Sequence, residues 1–575
     1  MNNRGFRGLV VLLLSVTYLA SPAHAEDQIF QHGVVAADHP LAAEAGLEIL
    51  KAGGNTVDAA VATSFALSVT RPYSCGLGGG GFMVIWDAER KHSVAIDYRE
   101  RAPGAAHREL YLQNEDADIP QSDLSSKGML AVGVPGNVAG LTYALEHYGT
   151  MDLKTVMAPA IRLAQEGFPF DDYDRNIYQS ALRRFESNSF YRKRFEVLYQ
   201  KYLHDGNTPE VGSVHPSPQL PALELIAKEG RKAFYEGPIS EAILKLSREQ
   251  GGILTAEDFA SMQPVVRQPL RGEFDGHEIL AMPPPSSGGV ALLQMLGTIN
   301  AWERRFPDKK LTPWDGQNPE SIHLLTEVMK HAYADRAEFL GDTDFVEVPI
   351  ERMISAEYAR TTAERISPER TGKPEDYGRF MLNDDGGTSH LSVIDSKGNA
   401  VACTETINLV FGSYMVEPTF GVVLNNEMDD FTARPGEPNK FGLRQSENNT
   451  IEPGKKPLSS MTPTIVLKDG KATHVVGAAG GPRIISASTL ALLQMVRFNR
   501  TPLEAVTLPR LHHQWMPDEL LLEPELFEQA KDALEAMGHK VVKNSSLAVS
   551  QAVSRSEEGL RGGADPRKGG KAAGY

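Results

Sequence analysis

The stretch Gly386-Gly387-Thr388-Ser389-His390-Leu391-Ser392-Val393-Ile394-Asp395-Ser396-Lys397-Gly398-Asn399-Ala400-Val401-Ala402-Cys403-Thr404-Glu405-Thr406 decides how the chain is read. Residues 390–395 and 400–406 are two strand-like runs. Between them Ser396-Lys397-Gly398 suits a three-residue hairpin loop with glycine in the left-handed position. In that register Asp395 faces Asn399 and, further out, Thr388 faces Thr406. Asn408 lies two residues on and shares a face with Thr406 if the strand continues. A bulge would shift the pairing by one.

A threonine after a polar loop ending in Gly-Gly has two readings. It is a β-branched residue opening a strand, or it is a nucleophile exposed by a cut before Thr388. In the second case the new α-amine, with a pKa of about 8, serves as base for its own hydroxyl.

Upstream, residues 363–385 are polar and proline-bearing and read as an exposed connector. Near the start, residues 41–52 have helical spacing and end in Gly53-Gly54. Asn55 caps a second helix with Asp58 at its third position, and residues 59–69 are apolar almost all round, so this helix is expected to be buried. The run Gly76 through Gly81 matches GxGxxG. However, the helix precedes it and the strand, residues 82–86, follows it. That is the reverse of a dinucleotide site, so a tight backbone turn is the better reading. Residues 150–270 are helix-rich, Met282-Pro283-Pro284-Pro285-Ser286-Ser287-Gly288-Gly289 leads into an apolar helix, and residues 421–426 read as a strand. Residues 464–467 and 474–477 form a further hairpin around Asp469-Gly470. There is no internal repeat.

At 575 residues the chain has room for about three to five domains, or for a few packed layers. With 41% hydrophobic and 23% charged residues it is globular in composition, which excludes disorder, collagen and coiled coil. Asp+Glu outnumber Lys+Arg by 74 to 58, a balance that argues against nucleic acid as a partner. Arg4 and Arg7, an apolar run over residues 9–20 and Ala23-His24-Ala25 read as a signal peptide of residues 1–25, too short to span a bilayer comfortably. The expected location is periplasmic or secreted, with no membrane span after signal removal. Cys75 and Cys403, the only cysteines, give no disulfide framework and no CxxC metal site, and read as two buried thiols. His512-His513 reads as a wet surface pair and Asp429-Asp430 as a solvated turn. There is no GxSxG, HExxH or P-loop.

The ordered blocks Gly53-Gly54-Asn55-Thr56-Val57-Asp58-Ala59-Ala60, Asp97-Tyr98-Arg99-Glu100, Tyr333-Ala334-Asp335-Arg336, Asn425-Asn426-Glu427-Met428-Asp429-Asp430-Phe431, Pro457-Leu458-Ser459-Ser460-Met461 and Gly480-Gly481-Pro482-Arg483 resemble those of the γ-glutamyltransferases, also called glutathione hydrolases, of the N-terminal nucleophile hydrolase superfamily. The likeness runs over essentially the whole chain after residue 25.

The resemblance implies an α+β, four-layer αββα sandwich. It also implies self-cleavage between Gly387 and Thr388 into a large subunit, 26–387, and a small subunit, 388–575, that stay together as a heterodimer. Thr388 is the implied nucleophile, Thr406 contacts it, and Gly480 and Gly481 supply the oxyanion amides. Arg99, Ser459 and Ser460 are implied to hold the substrate α-carboxylate, and Asp430, with Asn408 and Glu427, the α-ammonium. Implied substrates are γ-glutamyl compounds such as glutathione, with amino-acid or peptide acceptors, and neither metal nor organic cofactor is called for. Three positions depart from the family pattern. Ser389 replaces a common Thr, Pro482 a common Ser or Thr, and Phe441 a tyrosine found in some bacterial lids, here residues 435–453. Two other readings compete: an acylase of the same fold acting on glutaryl-cephalosporin-type amides, and a non-catalytic exported binding protein.

Overall fold

The computed structural model describes residues 28–116, 118–314, 316–378, 387–432 and 446–575. The expected hairpin is present as strands Thr388–Asp395 and Ala400–Thr406, with Asp395 N bonded to Asn399 O, Thr388 opposite Thr406, and Gly398 at φ 91°. These two strands form the middle of a seven-stranded antiparallel sheet. In spatial order its strands are Lys571–Gly574, Gly33–Ala37, Thr388–Asp395, Ala400–Thr406, Gly80–Asp87, His92–Asp97 and Val265–Arg267. A six-stranded antiparallel sheet runs Leu560–Ala564, Val549–Arg555, Lys471–Ala479, Thr464–Lys468, His277–Ala281 and Leu270–Phe274.

The two sheets bury side chains such as Val34, Phe82, Val84, Ile465, Val475 and Val553 against each other. The outer face of the first is covered by Pro40–Lys51, Thr56–Thr70 and the helices of the 150–250 region. The outer face of the second is covered by Gly288–Arg305, Pro319–Phe339 and Arg483–Val496. This is the αββα sandwich. Thr56–Thr70 is buried along its whole length, which its apolar circumference requires, and it opens with reciprocal bonds: Asp58 N to Asn55 Oδ1 at 3.0 Å and Asn55 N to Asp58 Oδ2 at 2.7 Å. Glycines 78 and 79 let the loop before Gly80–Asp87 press on other backbone: a Cβ there would lie 2.1 Å from Val423 O and from Thr406 O respectively.

Three local expectations need correction. Residues 421–426 are not a sheet strand; they make only the bridges Val416–Val423 and Gly78–Leu424, because Phe411, Gly412 and Tyr414 take positive φ and coil the chain under the glycine loop. The connector is not free over its described part. Helix Ala356–Arg365 covers its first residues, and Thr371 and Tyr377 donate hydroxyls to Glu327, docking it on Pro319–Phe339. Third, Asn408 lies past the end of its strand, at φ 71°. Cys75 and Cys403 are buried free thiols. Residues 1–25, read from the sequence as a signal peptide, most of the expected lid 435–453 and Phe441 lie outside the described residues. No helix among the described residues is long and apolar enough to cross a membrane.

Candidate active site

Thr388 opens its strand in a buried position with its carbonyl held by Lys568 Nζ at 2.8 Å; that ammonium also pairs with Asp38 at 2.7 Å. Thr406 Oγ1 accepts from Asn408 N at 2.8 Å and donates to Gly387 O at 2.7 Å. A hydroxyl has one proton, so Thr388 must be the donor in its own 3.3 Å contact with Thr406 Oγ1. The turn of the chain at Asn408 is what aims its amide at Thr406, so the end of the strand serves the site better than its continuation would.

Arg99, Thr388, Thr406, Asn408, Glu427, Asp430, Ser459, Ser460 and Gly481 line one small cavity together with Arg336 and Pro482. Gly480 lines the adjoining cavity on the other side of Thr388, with Gly387. Arg99 reaches past its chain neighbours. Asp97 is taken by Arg267 and Lys456, and Glu100 stands 4.0 Å away, while the guanidinium binds Glu427 and, at 2.5 Å, Asp430. Glu427 and Asp430 belong to one short 3-10 turn, Glu427–Asp430, and Asp429 is buried on Ser125 Oγ at 2.5 Å. The solvated-turn reading of this pair is therefore wrong.

Burial pushes Glu427 well above the usual carboxylate range and raises Asp430, although Arg99 pulls both down; burial likewise brings Glu100 up to about 7. Three acids crowd the Arg99 guanidinium, and an incoming ammonium would favour their ionised forms.

Asn408 Nδ2 donates to Asn426 O at 3.0 Å. Ser459 accepts Met461 N at 3.1 Å, and its carbonyl is held by Ser287 N and Oγ from the Pro283–Gly289 turn. Ser460 Oγ accepts from Arg336 Nη2 at 3.2 Å. Gly480, at φ 130°, and Gly481, at φ 56°, end strand Lys471–Ala479 and precede helix Arg483–Val496; neither amide has an acceptor among the described residues. Tyr333 Oη grips the loop after them through Pro482 O, so proline at 482 costs the loop no anchor.

Sequence reasoning passed over Tyr333, Arg336 and Lys568 as site residues. The first two sit in a block quoted for the resemblance, but nothing in their spacing says that they face a cavity. The His512-His513 pair is not on the surface either. His512 bonds Ser486 Oγ and Gln514 Oε1, and His513 bonds Trp515 N and faces Asp518, because the short sheet Leu511–His512, Leu520–Leu522, Val541–Lys543 carries the pair inward. Among the described residues two groups have metal-ligand composition, His323/Glu327/His539 and His39/Asp171/Asp174. The protein already satisfies both: His323 bonds Ser367 O and His539, Glu327 takes two hydroxyls, and the aspartates neutralise Arg71.

A threonine heading a central strand of an αββα sandwich, beside unpaired glycine amides, defines the class of N-terminal nucleophile hydrolases. Within that class the family model described as Gamma-glutamyltranspeptidase matches residues 42–575, and the chain belongs to this family. It is 39% identical over 544 residues to the glutathione hydrolase proenzyme of Escherichia coli K12, covering 93% of this chain and 90% of that protein. Among solved structures, the cephalosporin acylase of Bacillus halodurans superposes with a TM-score of 0.84 at 25% identity, over 98% of this chain and 99% of that one. The gamma-glutamyltranspeptidase of Pseudomonas nitroreducens complexed with L-DON gives 0.52 at 34% identity, covering 59% of this chain and 95% of that one. Proenzyme names and a relative's chain matching only part of this one fit an enzyme processed into two subunits.

Proposed function

We propose that the chain is the precursor of a γ-glutamyltransferase/glutathione hydrolase that cuts itself between Gly387 and Thr388. The products are a large subunit, 26–387, and a small subunit, 388–575, held together as a heterodimer. The observation that carries this reading is the hydroxyl pair: the carbonyl to be attacked, Gly387 O, accepts from the same Thr406 hydroxyl that touches the attacking Thr388. In the cut, Thr388 Oγ1 bonds to the Gly387 carbonyl carbon, the peptide C–N bond breaks, and the hydroxyl proton ends on the freed amine. Water then hydrolyses the ester, leaving a carboxylate on Gly387 and the hydroxyl restored on Thr388.

Turnover repeats this chemistry on substrate. The amine takes the hydroxyl proton, Oγ1 attacks the γ-carbonyl, and the proton passes to the leaving amine. Water or the amine of an amino-acid or peptide acceptor resolves the γ-glutamyl ester. The amides of Gly480 and Gly481 hold the developing oxyanion, a role in which one donor is worth about 10²–10³ in rate. Asp430, Glu427 and Asn408 take the α-ammonium of glutathione or a related compound, and Arg99, Ser459 and Ser460 its α-carboxylate. Residues 1–25 direct the protein to the periplasm or the medium. The test is the intact mass of the purified protein under denaturing conditions. Two species starting at residue 26 and at Thr388 are expected, and a single uncut chain would overturn the reading.

The fold similarity to a cephalosporin acylase favours a second reading, a glutaryl amide acylase. Glu427 and Asp430 argue against it, since a glutaryl chain brings no ammonium to them. Rates on γ-glutamyl and glutaryl anilides separate the two.

A further inference from the structure

Helix Pro319–Phe339 sends one cation into the substrate cavity, and that cation is unlike Arg99. Arg336 is buried, donates Nε to Ser287 Oγ at 2.9 Å and Nη2 to Ser460 Oγ at 3.2 Å, and binds no carboxylate among the described residues. Its Nη1 is buried with no partner among the described residues. Arg99, by contrast, is engaged on both arms by Glu427 and Asp430, with its Nε on Pro457 O at 3.3 Å. Burial pulls the Arg336 guanidinium down to about 10, which still leaves it charged at neutral pH. A buried guanidinium at the cavity wall with an unpartnered N–H is costly to keep unless a ligand completes it.

The cavity is thus divided. One side is crowded with acids, and the other holds a guanidinium whose fork is half used by neutral hydroxyls. That is the complement of a zwitterion: ammonium to the acids, carboxylate to the half-used fork. Ser460, already placed by Arg336, would accept from the guanidinium and donate to the same carboxylate.

We infer that Arg336 is a substrate-binding residue that receives the α-carboxylate of the γ-glutamyl group through its unpartnered Nη1, alongside Arg99, and orients Ser460 toward it. The inference rests on the γ-glutamyl reading above and adds a residue that the sequence comparison did not assign. It also gives Arg99 a second duty, that of holding Glu427 and Asp430 in place for the ammonium.

The experiment compares two anilides, γ-glutamyl-p-nitroanilide and 4-aminobutyryl-p-nitroanilide, which keeps the amine and lacks the α-carboxylate. Arg336→Gln should lower kcat/KM on the first by about 10–100-fold, mostly in KM, the range of a lost charged hydrogen bond. On the second the loss should stay within about threefold, and Arg336→Lys should recover part of the first loss. Equal losses on both substrates would show a merely structural role and overturn the inference, as would no loss on the γ-glutamyl anilide. If Arg336→Gln remains uncut, the same ratio is read on Arg336→Lys, and a ratio equal to wild type overturns the inference there. A wild type that turns over neither anilide would refute the γ-glutamyl reading itself, and this assignment with it.

Discussion

Thr406→Val removes one proton and keeps the β-branched shape. In the uncut chain Thr406 Oγ1 donates that proton to Gly387 O over an O···O distance of 2.7 Å, on the carbonyl that the proposed cut makes Thr388 attack. As the carbonyl becomes tetrahedral its oxygen gains charge, and a donor aimed there from a buried site is worth about 2.7–4 kcal/mol. Self-cleavage should therefore slow by about 10²–10³-fold. The change also orphans the Asn408 amide, which now donates to Thr406 Oγ1 at 2.8 Å, at a cost to stability of about 1–3 kcal/mol. Thr406→Ser keeps the proton and should cut within about tenfold of wild type, a margin for its freer rotamer. The assay follows loss of the uncut chain by denaturing mass spectrometry after synthesis, with thermal melting as a check on folding. A folded valine variant that is cut at the wild-type rate would refute the assignment of Thr406 as the donor to the scissile carbonyl.

Asp430→Asn should raise KM for a γ-glutamyl anilide by about 10–100-fold and hardly change turnover of a glutaryl anilide, since only the former brings an ammonium; equal effects on both would sink the clamp. Gly480→Ala forces a side chain onto φ 130° with its Cβ 2.9 Å from Ala548 Cα, so Tm should drop by the equivalent of about 1–3 kcal/mol and kcat by at least about tenfold; an unchanged kcat would free Gly480 of any oxyanion role. Glu405, buried on Tyr98 and Asn137, is pushed up to about 7 by burial. Its folded value exceeds its unfolded one, so its contribution is full below about pH 4.5 and is lost as pH rises through about 7, on the order of 3 kcal/mol in all. Glu405→Gln should therefore gain on wild type in Tm between pH 5 and pH 8, and a gap that stays constant over that range would contradict the reading.

What could be read from the sequence was what short-range periodicity and capping determine. The hairpin register, the buried helix opened by Asn55 and Asp58, and the turn before Gly288–Arg305 all follow from spacings of two to four residues. What could not be read depends on where the chain returns from afar. Arg336 is a cavity residue because Pro319–Phe339 lies across the second sheet, and Lys568 holds Thr388 because the last strand closes the edge of the first. In the linear sequence both are ordinary cations. The two misjudged pairs fail for the same reason: adjacency suggested a solvated turn for Asp429-Asp430 and a wet surface for His512-His513. Yet the acids are consumed by Ser125 and Arg99, and the histidines by Ser486, Gln514, Trp515 and Asp518.

The register of the hairpin matters beyond the fold. Side chains alternate faces along a strand, so a one-residue slip would turn either Thr388 or Thr406 away from the cavity and leave the other without a partner. The loop guards against that slip locally: Asn399 N and Nδ2 both donate to Asp395, and Gly398 takes the positive φ that the tight return needs. In the uncut chain the Thr406 proton is committed to Gly387 O. If the chain is cut there as proposed and that acceptor is lost, Thr388 Oγ1, 3.3 Å away, is within reach of the proton. On the proposed mechanism one hydroxyl thus serves the cut first and the nucleophile afterwards. The switch between the two duties needs no movement of the strands, only the loss of the bond that the first duty breaks.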